Sequence, residues 1–580
     1  MTASSRRPVS LGLLAAVLGT CLVGAVPAAA GTAATSAPAP VASSAPSGTW
    51  LVATTEGQTT AVADGLRSTG VEVLRQLDGV GVLTVRGSAA LADALRSDPR
   101  VTGVSADEKV ALQAETWTPT SDPGSLYNVT RSTGARAAWS VTTGRGIDVA
   151  LLDSGVTPVQ GLDGVGKLLQ GPDLSFDSSV PALRSLDGFG HGTHMAGIIA
   201  GRDAGFTGAG DTTSFAGVAP DARVVSVKVA DAYGNADVSQ IIAGIDWVVQ
   251  NRAAHGMNIR VLNLSVGLPS GNGYRTDPLA HAAEQAWHKG IVVVASAGNN
   301  ARLDGQMLSP AYDPYVIAVG ASDSHGTLRE DDDTVPEFSS RGDHWRKPDL
   351  IAPGRSVAGL RVPGSYLDQQ FGATAAVGGR FLRGSGTSQS AAVVSGSVAL
   401  LLQKRPGLTN NQVKDLLRST ADPLWAYASS QGEGQLRVSR ALSGFTWAGN
   451  QSHTRSNGSG SVDAARGGYR VESAGVQLTG EKDVFGKTLS SSDHASKAAA
   501  STAWTGGTWN TSTMTGTSYT GSRWNGVTWG GNDWAGQSWN VRGNTPAVWD
   551  GRSWAGGYWA GRSWAGRSWA GRSWATGAWH

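Results

Sequence analysis

Cysteine is almost absent from this chain. The only cysteine among its 580 residues is Cys21, and it lies inside an N-terminal segment with the pattern of a secretion signal. Arg6 and Arg7 precede an apolar run over 11–26, and alanines at 28–30 offer a small-residue cleavage site. A membrane anchor is disfavoured because the run is short and interrupted by glycine and threonine. We therefore expect an exported protein whose mature form has no disulfide and is held together by its core, by ions or by partners.

A strong charge of either sign is also missing. Lysine and arginine number 47 and the acidic residues 45, which gives a formal net charge of +2. This balance argues against nucleic acid as the main partner. Glycine and tryptophan are abundant instead, with 79 and 21 residues, and both excesses require a local explanation.

The first compact unit follows a low-complexity stretch. Residues 31–48 are rich in alanine, proline, serine and threonine, and this composition predicts a flexible linker after the signal. Residues 49–113 then alternate strand-like and helix-like patterns in the order β-α-β-β-α-β, with Ser88 as a cap for the second helix and Pro99 just beyond its end. This order predicts a small ferredoxin-like α+β domain.

The longest globular part, 114–443, has the pattern of an α/β protein. Near-continuous apolar runs such as "IDVALLD", "ARVVSVKVA" and "IVVVASAGN" alternate with helical patterns. Strands of this kind are typical of a doubly wound, mostly parallel sheet that is buried on both faces. Functional residues in such sheets lie at the carboxyl ends of the strands, so the residues directly after these runs are the candidates.

Two candidates are a carboxylate and an imidazole. Asp153 ends "DVALLD", where it can orient an imidazole, although alone it would be read as a strand-end turn residue. His191 lies where the glycine-rich loop of "DGFGHGTHMAGIIAG" enters a helix, and His194 follows. A metal pair is the alternative, but zinc requires three or four ligands and no Glu or Cys stands at helical spacing. The pattern therefore favours a catalytic base.

The other two candidates are an amide and a hydroxyl. Asn299 follows the strand in "VVVASAGNN", where it could donate to an oxyanion or simply form a turn. Ser388 lies where "RGSGTS" meets an apolar helix, and alone it would be read as an N-cap, as Ser385 would. However, the chain order Asp, His, Asn, Ser matches one of the orders found for the hydrolase triad. The helix start would also let the backbone N–H of Ser388 join Asn299 in holding an oxyanion.

Six segments together resemble the signature blocks of subtilisin-like serine peptidases. They are "VALLDSGV", "GHGTHMAGIIAG", "VLNLSVG", "VVVASAGN", "KPDLIAPG" and "GSGTSQSAAVVSG", and they occur in the order of that family. The resemblance implies a secreted serine endopeptidase in which Asp153, His191 and Ser388 form the triad and Asn299 is the oxyanion donor. It implies further that the substrate is bound by Ser265, Val266, Gly267, Ala297 and Gly298.

The resemblance also makes predictions beyond the triad. Residues 49–113 resemble the propeptide of these enzymes, which acts as chaperone and inhibitor, and the maturation cut is expected between about Leu112 and Thr120. The chemistry requires no cofactor or metal, although members of the family often bind a structural calcium ion, for which no ligands are assigned here. One departure is clear, because residues 389–392 read Gln-Ser-Ala-Ala where the family usually has Met-Ala-x-Pro.

The C-terminal part changes character. We expect a linker over 444–503 and then a tail over 504–580, in which an aromatic residue recurs every five positions except at Met514 and Asn544. The tail is compatible with a solenoid, with a flexible ladder of tryptophans or with low-complexity sequence of no single fold. Exposed tryptophans could bind the flat faces of a polymer, and four arginines could pair with anionic polymers of the cell envelope: Arg552, Arg562, Arg567 and Arg572.

The leading prediction is therefore a secreted, self-processed endopeptidase that acts on proteins or peptides, and envelope binding by its tail stays one of the open alternatives. A binding protein on a degenerate peptidase scaffold is a second reading, but the joint presence of all four candidate residues argues against it. A lipase-like esterase is a third, and the chain order and the lack of a G-x-S-x-G motif argue against that.

Overall fold

The computed structural model describes most of the chain between 48 and 510. The described ranges are 48–107, 117–179, 183–300, 306–447, 449–473, 476–484, 486–505 and 508–510, followed by the backbone of a few short strands up to 541. The predicted signal and residues 31–47 of the predicted linker therefore lie outside the described residues, and so do residues 112–116 of the predicted maturation region. The chain divides into two compact units, 1–113 and 114–580.

The first unit has the β-α-β-β-α-β order predicted from the sequence. Its elements are β1 (Gly48–Thr54), α1 (Thr59–Ser68), β2 (Glu72–Leu77), β3 (Val82–Gly87), α2 (Ala89–Arg96) and β4 (Val101–Ala106). The antiparallel sheet has the order β2-β3-β1-β4. As expected, Ser88 caps α2, accepting a hydrogen bond from the N–H of Leu91. Val52, Leu83 and Val85 are fully buried and form its core.

The second unit contains the rest of the described elements. Its strands are β5 (Asp148–Asp153), β6 (Leu168–Asp173), β7 (Arg223–Lys228), β8 (Ile259–Leu264), β9 (Val292–Ser296), β10 (Ile317–Ser322), β11 (Leu350–Pro353), β12 (Val357–Leu360), β13 (Ala376–Val377), β14 (Phe381–Gly384), β15 (Val471–Ser473), β16 (Val476–Gln477), β17 (Trp504–Thr505), β18 (Thr508–Trp509), β19 (Ser512–Thr515), β20 (Tyr519–Thr520), β21 (Arg523–Trp524), β22 (Thr528–Trp529) and β23 (Asn540–Val541). Its helices are α3 (Leu126–Ser132), α4 (Ala135–Ala138), α5 (His191–Ala200), α6 (Val238–Asn251), α7 (Pro278–His288), α8 (Tyr366–Ala375), α9 (Thr387–Lys404), α10 (Asn410–Ser419), α11 (Ala428–Gln431), α12 (Val438–Ser443), α13 (Val462–Ala465) and α14 (Ser491–Ala500).

A parallel sheet organises this unit, as the apolar runs predicted. The order β11-β10-β9-β8-β5-β7-β6 is parallel throughout, and β21 and β20 extend it beyond β6. Strands β5, β9 and β10 are buried along their whole length. Helices α5 and α9 pack against each other and the sheet, and so do α6 and α7. The carboxyl ends of β5, β8 and β9 therefore lie side by side at one edge.

The predicted linker over 444–503 is instead folded against the sheet domain, which corrects that prediction. We call residues 449–510 the C-terminal segment. Its apolar side chains join the main core, among them Val462, Ala465, Val471, Leu478, Val484, Leu489 and Trp509. The guanidinium of Arg466 is paired with Asp237, the N-cap of α6, with Nε 2.6 Å from Oδ2 and both side chains only 1% exposed. The polar composition suggested a linker, but scattered apolar side chains and buried polar contacts, this ion pair among them, anchor the segment.

The first two aromatic positions of the tail belong to this folded segment. Trp504 and Trp509 face each other across the antiparallel pair β17 and β18. Trp509 is fully buried, and its Nε1 donates to Oδ2 of Asp246 in α6 over 2.8 Å. The remaining aromatic positions lie outside the described side chains, so the three readings of the tail stay predictions. Among the described residues, no helix combines the length and hydrophobicity needed to cross a bilayer.

Candidate active site

Asp153 and His191 meet where β5 ends and α5 begins. The Nδ1 atom of His191 lies 3.1 Å from each carboxylate oxygen of Asp153. Ser154 also donates to Asp153 Oδ1 through its backbone N–H at 2.8 Å, and the Ser154 hydroxyl oxygen lies 3.2 Å from the same carboxylate oxygen. These bonds fix the carboxylate, and the carboxylate fixes the imidazole ring.

Glycines allow this close approach of helix and strand. Gly190 precedes His191 with φ of +106°, a conformation that favours glycine. A Cβ on Gly192 would lie 2.0 Å from the carbonyl oxygen of Gly155 and 3.0 Å from Oδ1 of Asp153. The glycine-rich loop is therefore needed to bring the first turn of α5 onto the end of β5.

Asp187 supports the same loop, and sequence reasoning missed it. Its Oδ1 accepts hydrogen bonds from the hydroxyl of Ser154 and the N–H of Gly190, at 2.7 and 2.6 Å. Its Oδ2 accepts from the N–H of Thr193 at 2.7 Å. A carboxylate three residues before a glycine-to-helix junction was the available signal, since acidic side chains often accept hydrogen bonds from helix starts.

Burial sets the charge of the pair. Desolvation lowers the pKa of His191 well below its ordinary value of 6.5, while the negative charge of Asp187 opposes that shift. Desolvation has the opposite effect on the carboxyl group and raises the pKa of Asp153, while the hydrogen bonds from Ser154 oppose that increase. The imidazole is therefore neutral at neutral pH and can accept a proton.

His194 does not join this site as a metal ligand would. Its ring packs against β12, where a Cβ on Gly359 would lie 2.3 Å from the ring. Burial, reinforced by His191, lowers its pKa to about 3. Within the described residues, no group of three or more His, Cys, Asp or Glu side chains is placed to hold a metal ion. The structural calcium ion that members of the family often bind therefore has no assigned ligands here.

Ser388 lies in the first turn of α9, beside the end of β8. Its Oγ is 3.3 Å from the carbonyl oxygen of Ser265, and the hydroxyl of Ser265 is 3.3 Å from the carbonyl oxygen of Ser388. The N-cap of α9 is Gly386, so the simple capping role is wrong for Ser388. The predicted capping role is wrong for Ser385 too, because its hydroxyl instead accepts a hydrogen bond from the N–H of Ser356 at 2.9 Å.

Asn299 is tied to the same helix start. Its Oδ1 accepts hydrogen bonds from the N–H and the hydroxyl of Thr387, at 2.9 and 3.1 Å. The Thr387 hydroxyl also accepts from the N–H of Gly298 at 3.1 Å. With Oδ1 occupied in this way, the donor atom Nδ2 points away from Thr387. Thr387 is thus a supporting residue that no local sequence signal marked.

The predicted substrate-binding residues lie at the adjoining strand ends. Ser265 to Gly267 follow β8, and Ala297 and Gly298 follow β9; all five are buried. A Cβ on Gly267 or on Gly298 would lie 2.8 Å from the side chain of Leu308. Leu308 therefore packs closely against both segments, and neither glycine leaves room for a larger residue.

The chain is similar in sequence to one protein family and to several known proteases. The pattern of the subtilase family matches residues 144–467. Serine protease AprX of Bacillus subtilis is 37% identical over 289 residues, which cover 48% of this chain and 62% of that protein. An alkaline protease of Alkalihalobacillus alcalophilus is 31% identical over 354 residues, which cover 61% of this chain and 77% of that protein. The crystal structure of fervidolysin, from Fervidobacterium pennivorans, aligns with a TM-score of 0.45 and 24% identity over 69% of this chain and 61% of its own. The chain thus spans less than two thirds of AprX.

Proposed function

This chain belongs to the subtilase family, and from that premise we propose that it is a serine endopeptidase that acts through Asp153, His191 and Ser388. The observation that carries the proposal is the pairing of the His191 imidazole with Asp153 over 3.1 Å, at the sheet edge where the Ser388 hydroxyl lies beside Ser265. An ordered carboxylate, a neutral imidazole and a helix-start hydroxyl are the groups required for nucleophilic acyl transfer.

The reaction proceeds through an acyl-enzyme. Nε2 of His191 takes the proton of the Ser388 hydroxyl as the serine oxygen attacks the peptide carbonyl. Asp153 holds the imidazole through Nδ1 and stabilises its charged form. The imidazolium then protonates the leaving amine, and a water molecule hydrolyses the ester by the reverse sequence.

The negative charge on the carbonyl oxygen is held by two donors. Nδ2 of Asn299 is one, since Oδ1 of that residue is engaged by Thr387. The backbone N–H of Ser388, at the positive end of α9, is the other. In this proposal residues 265–267 pair with the substrate backbone, Ala297 and Gly298 line the pocket before the scissile bond, and no cofactor takes part.

The flanking segments are proposed to serve maturation and localisation. We propose that residues 1–30 direct export and that the ferredoxin-like unit is a propeptide that inhibits the enzyme until it is cut. Its βαββαβ topology supports this role. We propose also that the tryptophan- and arginine-bearing tail binds an anionic envelope polymer, which the five-residue spacing in the sequence supports.

Intact mass of the purified precursor tests the proposal. Wild type should be cut between about Leu112 and Thr120, whereas Ser388→Ala should stay whole. Ser397→Ala is the matched control, because Ser397 lies in the same helix and its hydroxyl donates to the carbonyl oxygen of Val393 in that helix. If wild type and Ser388→Ala are cut alike, or if neither is cut and wild type does not hydrolyse casein, the proposal fails. Hydrolysis of a short ester without casein would favour an esterase instead.

A further inference from the structure

Gln389, the residue after the proposed nucleophile, has an unusual environment. It lies in the first turn of α9, and its side chain is fully buried. Within the described part of the chain, neither its Nε2 nor its Oε1 has a hydrogen-bond partner. A buried amide with no protein partner is unfavourable, and such a group calls for an explanation such as a bound water, an ion or a catalytic role.

The other buried polar side chains of this helix are satisfied. The hydroxyl of Ser390 donates to the carbonyl of Ala352, that of Ser395 to the side chain of Asn263, and that of Ser397 to the helix backbone. Loose packing of α9 therefore does not explain Gln389. The unpartnered amide is specific to the position beside Ser388.

The amide faces the same space as Asn299. Oε1 of Gln389 lies 3.0 Å from the point that a Cβ on Gly386 would occupy, and Nδ2 of Asn299 lies 3.1 Å from that point. Gly386 has an extended backbone with φ of 167°, which any residue adopts. Glycine is thus not required there by conformation; instead, its missing side chain leaves open the space that the two amides share.

We propose that Gln389 is a further catalytic residue, whose Nε2 donates a hydrogen bond to the oxyanion alongside Asn299. This inference rests on the proposed function. Because neither amide atom is engaged, a half-turn of the carboxamide exchanges Oε1 and Nε2 without the loss of any hydrogen bond. The substrate oxygen, as it becomes negative, then supplies the partner that the buried amide lacks, so the bond strengthens in the transition state.

Two substitutions separate this role from simple packing. Gln389→Met keeps the length of the side chain and removes the donor. Gln389→Glu keeps the shape, but its carboxylate only accepts, and it becomes a donor again when protonated. Gln285→Met, in the half-buried face of α7, is the matched control. Active-site titration with an irreversible serine reagent corrects each preparation for incomplete maturation.

We expect Gln389→Met to lower kcat about 10- to 100-fold, with KM changed less than about twofold. Binding of a peptide aldehyde, which forms a tetrahedral adduct with the serine, should weaken by a similar factor. The kcat of Gln389→Glu relative to wild type, measured at each pH, should rise as pH falls and the carboxyl group gains a proton.

Several results would overturn the inference. One is a kcat for Gln389→Met within about twofold of the wild-type value. Another is a loss of activity that comes from a raised KM while the binding of the peptide aldehyde is unchanged. If Gln389→Glu is fully active at neutral pH, an acceptor at residue 389 is enough for activity. The side-chain oxygen of Gln389 would then orient the Asn299 amide, and Gln389 would not donate a hydrogen bond to the substrate. A folded but inactive wild type would overturn the proposed function itself, and this inference with it.

Discussion

Oδ1 of Asn299 accepts a hydrogen bond from the backbone N–H of Thr387, 2.9 Å away. The bond joins the loop after β9 to the first turn of α9, one residue before Ser388. The two proposed oxyanion donors, the amide of Asn299 and the N–H of Ser388, are therefore held at a fixed separation before substrate arrives. Preorganisation of this kind is what makes such donors effective, since no reorganisation is needed during the reaction.

Asn299→Asp tests the donor directly. Aspartate can still accept from Thr387, but its carboxylate cannot donate to an oxyanion. We expect kcat to fall about 100- to 1,000-fold with little change in KM, a magnitude taken over from the loss of this donor in subtilisin. Steady-state kinetics on a peptide substrate measure both constants. The exposed Asn457→Asp is the control, and a loss confined to KM would contradict the assignment.

The pH dependence of kcat/KM should report the lowered pKa of His191. The imidazole must be neutral to accept the proton of Ser388, so activity is lost as pH falls through its pKa. Since burial lowers that pKa, the acid limb should lie below 6.5, and activity should persist into mildly acidic solution. A substrate without ionisable groups is required for the measurement. An acid limb above 6.5 would contradict the effect of burial.

The ion pair of Arg466 with Asp237 should be a major stabilising contact. Arg466→Met leaves Asp237 buried without a counter-charge, which should lower the free energy of unfolding by about 3–5 kcal/mol. Urea unfolding in a Ser388→Ala background, which prevents self-digestion, measures the change. Arg470→Met is the control, because the pair of Arg470 with Asp463 is partly exposed and should contribute less than about 1 kcal/mol. Equal effects of the two substitutions would contradict the prediction.

Two tryptophans should differ sharply in their contribution to stability. Trp509 is fully buried, while Trp447 is 88% exposed. Trp509→Ala should lower the free energy of unfolding by about 3–5 kcal/mol through the cavity it leaves, and Trp447→Ala should change it by less than about 0.5 kcal/mol. Denaturant unfolding of the same inactive background compares them. A small effect at Trp509 would mean that the C-terminal segment does not contribute to the cooperative fold.

The sequence predicted the features that depend on local signals. The apolar run before Asp153 indicated a buried strand, and the glycines around His191 indicated a tight loop entering a helix. Asp153 and His191 both lie at the predicted edge of the sheet, because the carboxyl ends of parallel strands meet at one edge. Ser88 was recognised as a cap for a similar reason, since a capping residue and its helix are adjacent in sequence.

Features that depend on distant contacts escaped prediction. The support that Thr387 gives to Asn299 joins residues 88 positions apart, and no local pattern records it. The prediction of a linker over the C-terminal segment was wrong for the same reason. Arg466 pairs with Asp237, and the two residues are 229 positions apart in the sequence. Gln389 was visible only as a departure from the family pattern, and its unpartnered amide became evident from the packing around it.

The C-terminal segment is held to the domain by buried side chains as well as by the polypeptide backbone. His494 contacts Asp246 in α6, and the N–H of Ser456 donates to Glu284 in α7. A peptide bond cut within the exposed stretch 452–455 would therefore leave two fragments that stay associated. Such a nicked protein would run as two bands on a denaturing gel and still elute from a sizing column as one particle.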